Sequence, residues 1–215
     1  HMLVLPDADL DLAADAAVNA GFGSAGERCM AISALLAVEP IADDLVAKIT
    51  DRMGKLVTGD GTRGCDMGPL VTAQHRDKVT SYLDAGTQAG ATLVVDGREG
   101  DVDADGEGYF LKPTLFDHVT KDMSIYQDEI FGPLLPVVAY DSLEDAIGYV
   151  NRRERPLALY WFGDHAARRD RVLQGTIAGG VTVNGCLTHF AQEAQPFGGV
   201  GASGVLLVVV AAMAW

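Results

Sequence analysis

Phe22-Gly-Ser-Ala-Gly-Glu-Arg-Cys-Met30 is the stretch on which the reading of this chain turns. Gly21, Gly23 and Gly26 let the backbone turn sharply and pass close to a ligand or another segment. The turn delivers Cys29 directly ahead of an apolar run over residues 30–38. A thiol at the end of such a loop can stand at the mouth of a cleft, and Arg28 beside it supplies a cation that favours thiolate. On chemistry alone two readings stay open. Cys29 is a nucleophile, or it is buried as a small apolar residue beside a strand.

Working outward, Pro6-Asp-Ala-Asp-Leu-Asp11 offers capping residues for an alanine-rich helix over 10–20, which ends at Gly21. Residues 30–38 read as a buried strand closed by Glu39-Pro40, and 41–55 carry a helical apolar stripe. The spacing predicts further helices over 72–89, 142–150 and 165–174, with Thr72 and Ser142 as caps. Strands are expected over 92–95, 109–116 (interrupted by Pro113), 134–139, 157–162 and 180–183. Strands alternating with helices indicate an α/β domain with a largely parallel sheet. Neither an internal repeat nor a low-complexity linker divides it, so one domain is expected.

The glycine-rich loop over 58–68 lacks the Gly-Lys-Ser/Thr ending of a phosphate cradle and reads as surface. Residues 97–108, rich in acids and glycine, read as a solvated, mobile turn. Their Asp-x-Asp-x-Asp-Gly pattern lacks the closing glutamate of a calcium loop, with Lys112 in its place. No metal site is expected. His118 and His189 have no matching ligands at metal spacing and are given no catalytic role.

Sixteen Lys and Arg stand against thirty Asp and Glu, a formal net charge of -14 that repels nucleic-acid backbones and anionic membranes. Apolar residues make up 48% of the chain, as in globular proteins. Cys29, Cys65 and Cys186 form no close pair, which suits a reducing compartment, and the cytoplasm is the expected location. His1-Met2 reads as a non-native leader to be set aside, and residues 205–215 as an apolar stretch too short to span a bilayer.

The opening stretch resembles the cysteine motif of the aldehyde dehydrogenase superfamily, with Gly26, Glu27 and Cys29 in register. Gln127-Asp-Glu-Ile-Phe-Gly-Pro133 is similar to the family's Glu-Ile-Phe-Gly-Pro motif, and Pro196-Phe-Gly-Gly-Val-Gly-Ala-Ser-Gly204 to its late Pro-Phe-Gly-Gly signature. Up to about Gly132 the chain resembles methylmalonate-semialdehyde dehydrogenases most, through Gly23 to Ala31 and Asp66-Met-Gly-Pro-Leu70. The later part, through Asn151 to Tyr160 and Gly179 to Asn184, looks more like the class 3 and coniferyl-aldehyde group.

The resemblance implies a doubly wound catalytic domain over 3–204, followed by an atypical tail over 205–215. It implies oxidation of a small aldehyde with NAD or NADP, through a thiohemiacetal and thioester on Cys29. Glu129 and Phe131 would then hold the nicotinamide riboside, and Asn184 would support the active-site loop. Phe197 would border the substrate entrance. Arg28 would contact an anionic substrate, tune Cys29, or form a surface ion pair. Water or coenzyme A would release the acyl group, and homo-oligomers are expected. The family's coenzyme-binding domain, its general base and part of its oxyanion hole would precede His1, so the chain reads as a partial enzyme. Competing readings are a cofactor-independent thiol esterase or acyl-binding module, and a non-catalytic association module.

Overall fold

The chain begins in the middle of its sheet. In the computed structural model, which describes residues 1–105 and 108–204, β1 (Met2–Val4) is fully buried. It pairs in parallel with β2 (Leu35–Val38) on one side and β6 (Ala158–Phe162) on the other. Setting His1-Met2 aside was therefore wrong for Met2. Three successive apolar residues buried on both faces are what a central parallel strand demands. The His1 amine donates to Ala158 O at 3.1 Å, and burial pushes its pKa down to about 6.

Between these strands run α1 (Leu10–Phe22), α2 (Ala42–Met53), α3 (Ala73–Gln88), β3 (Thr92–Val95), β4 (Thr114–Asp117), α4 (Ser124–Gln127), β5 (Leu134–Tyr140) and α5 (Leu143–Asn151). After β6 come α6 (Ala166–Gly175) and β7 (Gly180–Val183). The seven strands lie in the order β3-β4-β5-β2-β1-β6-β7, parallel except for β3 against β4. Caps fall where side-chain chemistry requires them. Asp9 Oδ1 accepts from the N–H of Asp11 and Leu12, Thr72 Oγ1 from His75, and Ser142 Oγ from Asp145.

The α1 crossover carries the chain from β1 toward the β3 edge, whereas α5 and α6 carry it from β5 to β6 and on to β7, the opposite way. Right-handed crossovers running in opposite directions put their helices on opposite faces, which is the doubly wound arrangement. Accordingly α1 packs on α2, and α5 on α6. Between the layers Phe22, Phe116, Trp161 and Phe162 are buried, each worth roughly 1.5–3 kcal/mol of apolar burial.

Three expectations need correction. The strand expected over 30–38 is ladder only at Leu35–Val38, because the preceding backbone is drawn elsewhere: Ala31 N–H to Arg28 O, and Ile32 N–H to Ala20 O. The strand expected over 109–116 starts at Thr114, directly after Pro113, which has no N–H to give a ladder. The acidic loop is solvated but not free. Asp103 bridges Gly59 and pairs with Arg63 at 2.8 Å. The short helix α4 was not anticipated. Residues 106 and 107 and the tail over 205–215 lie outside the described residues. Among those described, no helix is long and apolar enough to cross a membrane.

Candidate active site

The cysteine loop is built from strained backbone that its neighbours hold in place. After α1, Ser24, Ala25 and Gly26 take left-handed φ values of 54°, 55° and 72° in succession. For the two residues with a Cβ this costs roughly 1–2 kcal/mol each. Glu27 N–H closes the turn on Ser24 O at 3.0 Å, and Arg28 Nε donates to Ser24 Oγ at 3.1 Å. Gly26 is pressed so closely against the second motif that a Cβ there would lie 2.3 Å from Gly132 O. Gly132 is in turn held against Val79 of α3. Phe131, also left-handed at φ 54°, has its carbonyl held by His75 Nε2 at 2.8 Å. Two motifs a hundred residues apart thus form one rigid wall.

Beyond Cys29, the buried Tyr160 hydroxyl donates to Met30 O at 2.6 Å. Burial pushes the Tyr160 pKa upward, so the phenol remains a donor at any working pH. Tyr160→Phe is expected to cost about 1–3 kcal/mol, the penalty for a buried carbonyl left without its donor. Urea unfolding of the variant beside the parent measures it, and an unchanged midpoint would remove Tyr160 from this role.

Cys29 is exposed on an open cleft of about 950 Å³, and Arg28, Glu129, Phe131, Gly132 and Ser203 share its lining. The cleft lies at the amino ends of the parallel strands: His1 precedes β1, Ser33 precedes β2, Gly132 precedes β5 and Leu157 precedes β6. Doubly wound sheets usually bind ligands at the opposite end, where the crossovers diverge. At that end the chain ties its own loops together. Asp7, just after β1, accepts from the N–H groups of Asp164 and His165 and from Arg168. Partial burial opposes charge on Asp7, yet those donors win and hold its carboxyl below the ordinary range.

The residues proposed from sequence divide into two groups. Cys29, Glu129 and Phe131 come together on the cleft, and Arg28 borders it with its guanidinium turned onto Gly23 and Ser24, which do not line it. Among the described residues the Cys29 backbone N–H has no hydrogen-bond acceptor, so it is free to serve a ligand oxygen. Arg28 forms no ion pair among the described residues, which excludes the surface-pair option within them. Asn184 is placed elsewhere. Its amide clasps Gly163 N–H and C=O at 3.0 Å each, securing the turn after β6. Phe197 is exposed and does not line the cleft, although Ala202 and Ser203 of the same signature do. The glycines beside Phe197 explain that placement, since a Cβ on Gly198 would meet Gly179 O at 2.2 Å. His189 is bound to Thr182 Oγ1 at 2.8 Å, and burial lowers its pKa. His118 sits against its neighbour Asp117.

Sequence reasoning missed Tyr160 and His75, which act on the backbone of the motifs and so leave no local pattern. It also passed over the arginines of Asn151-Arg-Arg-Glu-Arg155, three of which line the cleft. Their clustering was a visible signal.

Comparisons with known proteins bear on the family and the fold. The profile described as "Aldehyde dehydrogenase family" matches residues 1–207. A malonate-semialdehyde dehydrogenase of Pseudomonas aeruginosa is 51% identical over 156 residues, 72% of this chain and 31% of the relative. Malonate-semialdehyde dehydrogenase 2 of Bacillus cereus is 48% identical over 152 residues, 70% of this chain and 31% of the relative. The chain thus spans about a third of the curated relatives it matches. Methylmalonate-semialdehyde dehydrogenase from Oceanimonas doudoroffii superposes with a TM-score of 0.83 at 41% identity, covering 86% of this chain and 38% of that one. A betaine aldehyde dehydrogenase point mutant from Staphylococcus aureus, solved with NAD+ and a BME-modified cysteine, gives 0.83 at 34% identity, covering 88% and 39%. With its cysteine loop, the Glu-Ile-Phe-Gly-Pro wall and the late glycine signature locked into one sheet, the chain belongs to the aldehyde dehydrogenase family.

Proposed function

We propose that this chain carries the catalytic thiol of an NAD- or NADP-dependent aldehyde dehydrogenase, residues 3–204 forming its catalytic domain. The observation that supports this most is the meeting of Cys29, Glu129 and Phe131 on one open cleft. The Cys29 thiolate adds to the aldehyde carbonyl carbon, and the free Cys29 N–H donates to the oxyanion of the thiohemiacetal. A nicotinamide held by Glu129 and Phe131 would supply the hydride acceptor for this oxidation, and Cys29 Sγ would carry the acyl group as a thioester.

The lining suits such a cofactor. Glu129 presents an exposed carboxylate for ribose hydroxyls, and the part-exposed Phe131 ring offers an apolar face beside it. The Arg28 guanidinium lies over Gly23 and donates to Ser24 Oγ, so Arg28 would act on the loop that carries Cys29. Water or coenzyme A would release the acyl group. Asn184 holds the turn after β6, at the opposite end of the sheet from the cleft, and Phe197 would border the outer approach. The edge strand β7 is only partly covered, which suits a homo-oligomer.

The test is reduced-cofactor formation with short aldehydes, with and without coenzyme A, run beside Cys29→Ala. Signal that disappears in the variant supports the reading; signal that persists overturns it. The free N–H beside an exposed thiol also favours a cofactor-independent esterase. Hydrolysis of an activated ester, lost in Cys29→Ala while no cofactor is reduced, would favour that reading instead.

A further inference from the structure

The chain has three asparagines, Asn19, Asn151 and Asn184, and of these Asn184 alone is followed by glycine. In an Asn-Gly pair the glycine carries no Cβ, so its backbone nitrogen can swing onto the side-chain amide carbon that precedes it. Here that nitrogen is uncommitted: among the described residues the Gly185 N–H has no hydrogen-bond acceptor. Asn184 is exposed and Gly185 half-buried, so water reaches the pair.

What restrains the pair is the clasp on Gly163. Asn184 Oδ1 accepts from Gly163 N–H and Nδ2 donates to Gly163 O, both at 3.0 Å, so the amide carbon between them is held away from its own chain. The Asn184 N–H is tied as well, to Trp161 O at 2.7 Å, and the residue keeps a left-handed φ of 49°. Gly163 is buried, so its two backbone groups depend on the Asn184 amide.

We propose that Asn184-Gly185 is a self-modification site, a deamidation site that the clasp keeps closed and whose reaction removes the clasp for good. Once the clasp opens, Gly185 N loses its proton and adds to Asn184 Cγ. The Cγ–Nδ2 bond breaks, ammonia leaves, and a succinimide ring remains. Water then opens either carbonyl of the ring, giving aspartate or isoaspartate, and no oxidant or second protein takes part. Neither product rebuilds the clasp. Aspartate offers no donor to the buried Gly163 O and sets an anionic oxygen beside it, whereas isoaspartate inserts a methylene into the main chain. Because β7 pairs with β6 alone, this edge of the sheet loses a tie that its single ladder cannot replace.

The test follows deamidation by peptide mass spectrometry in the intact chain, folded and unfolded in urea, at pH 8 over days. In urea Asn184 is expected to convert at least about tenfold faster than Asn19 or Asn151, whose followers Ala20 and Arg152 carry side chains. In the folded chain its conversion should fall at least about tenfold below the urea rate, because two hydrogen bonds must open first. Gly185→Ala should suppress the urea reaction at Asn184 to the level of Asn19. Gly163→Ala would set a Cβ 2.8 Å from the Trp161 ring and push the clasp apart from the other side. Folded-state conversion at Asn184 should then rise at least about threefold while Asn151 keeps its folded rate. Asn184→Asp, the product made directly, should melt about 2–8 °C below the parent. Conversion in urea no faster than at Asn19 would overturn the site. Equal conversion folded and unfolded, or no change in Gly163→Ala, would overturn the clasp as its guard, and an Asn184→Asp chain that melts with the parent would overturn the loss that follows.

Discussion

Gly26→Ala is expected to destabilise the fold by about 2–5 kcal/mol and to displace Cys29. Two separate penalties combine. Gly26 holds φ 72°, where an L side chain costs roughly 1–2 kcal/mol. The added methyl would also lie 2.3 Å from Gly132 O, a backbone atom that cannot rotate away, and such overpacking costs about 1–3 kcal/mol. Gly64→Ala separates the two. Gly64 has φ 76° and nothing within 4 Å of its would-be Cβ, so only the conformational penalty applies. For a chain of this size each kcal/mol lowers the melting temperature by about 2–4 °C. Thermal unfolding of both variants should therefore show Gly26→Ala falling well below Gly64→Ala. Equal losses would mean that the cysteine loop and the Glu-Ile-Phe-Gly-Pro loop do not depend on close packing.

That contact also shows where sequence reasoning stops. Gly26 was legible as a residue that permits a turn, because glycine alone tolerates the conformation cheaply. What it packs against was not legible, since Gly132 lies a hundred residues away and carries no side chain to match. Strand and helix periods identified most of the fold, and Thr72, Ser142 and the Pro6–Asp11 stretch, in which Asp9 is the cap, marked helix starts correctly. The failures share a cause. Residues 30–34 look like strand and are largely buried, but tertiary bonds to Tyr160, Arg28 and Ala20 take their backbone out of the ladder. Met2 was discounted because of its position in the chain, although its apolar neighbours Leu3 and Val4 already carried the strand signal. For the site, Cys29, Glu129 and Phe131 were named by motif, and the structure brings them to one cleft. Asn184 and Phe197 were named the same way and lie outside it. Backbone strain was invisible in both cases. Phe131 and Asn184, like Ser24 and Ala25, hold left-handed φ values that no composition or period reveals.

The three cysteines should separate sharply under alkylation. Burial raises the Cys186 pKa from 9.0 to about 12, with the nearby amino terminus opposing it weakly. At pH 8 that leaves roughly a thousandfold less thiolate than an ordinary thiol has, and the thiolate is the reacting species. A thiolate of higher pKa is intrinsically more nucleophilic, with a Brønsted slope of about 0.4–0.5, which returns roughly a factor of twenty to thirty. The net expectation is that Cys186 reacts at least about thirtyfold more slowly than a free thiol, before its partial burial slows it further. Cys65 is also shifted upward, by desolvation first and then by the Asp103 charge beside it. Cys29 alone is exposed. Iodoacetamide at pH 8, quenched over time and mapped by peptide mass spectrometry, should therefore modify Cys29 first and Cys186 last. Raising the pH toward 10 should speed Cys186 by about tenfold for each pH step, since its thiolate fraction is still far from saturation. Early modification of Cys186 would show that the packing around Tyr160 and the start of β1 is open. Because Tyr160 also holds Met30, that result would mean that the Cys29 loop lacks the support on which the proposed chemistry depends.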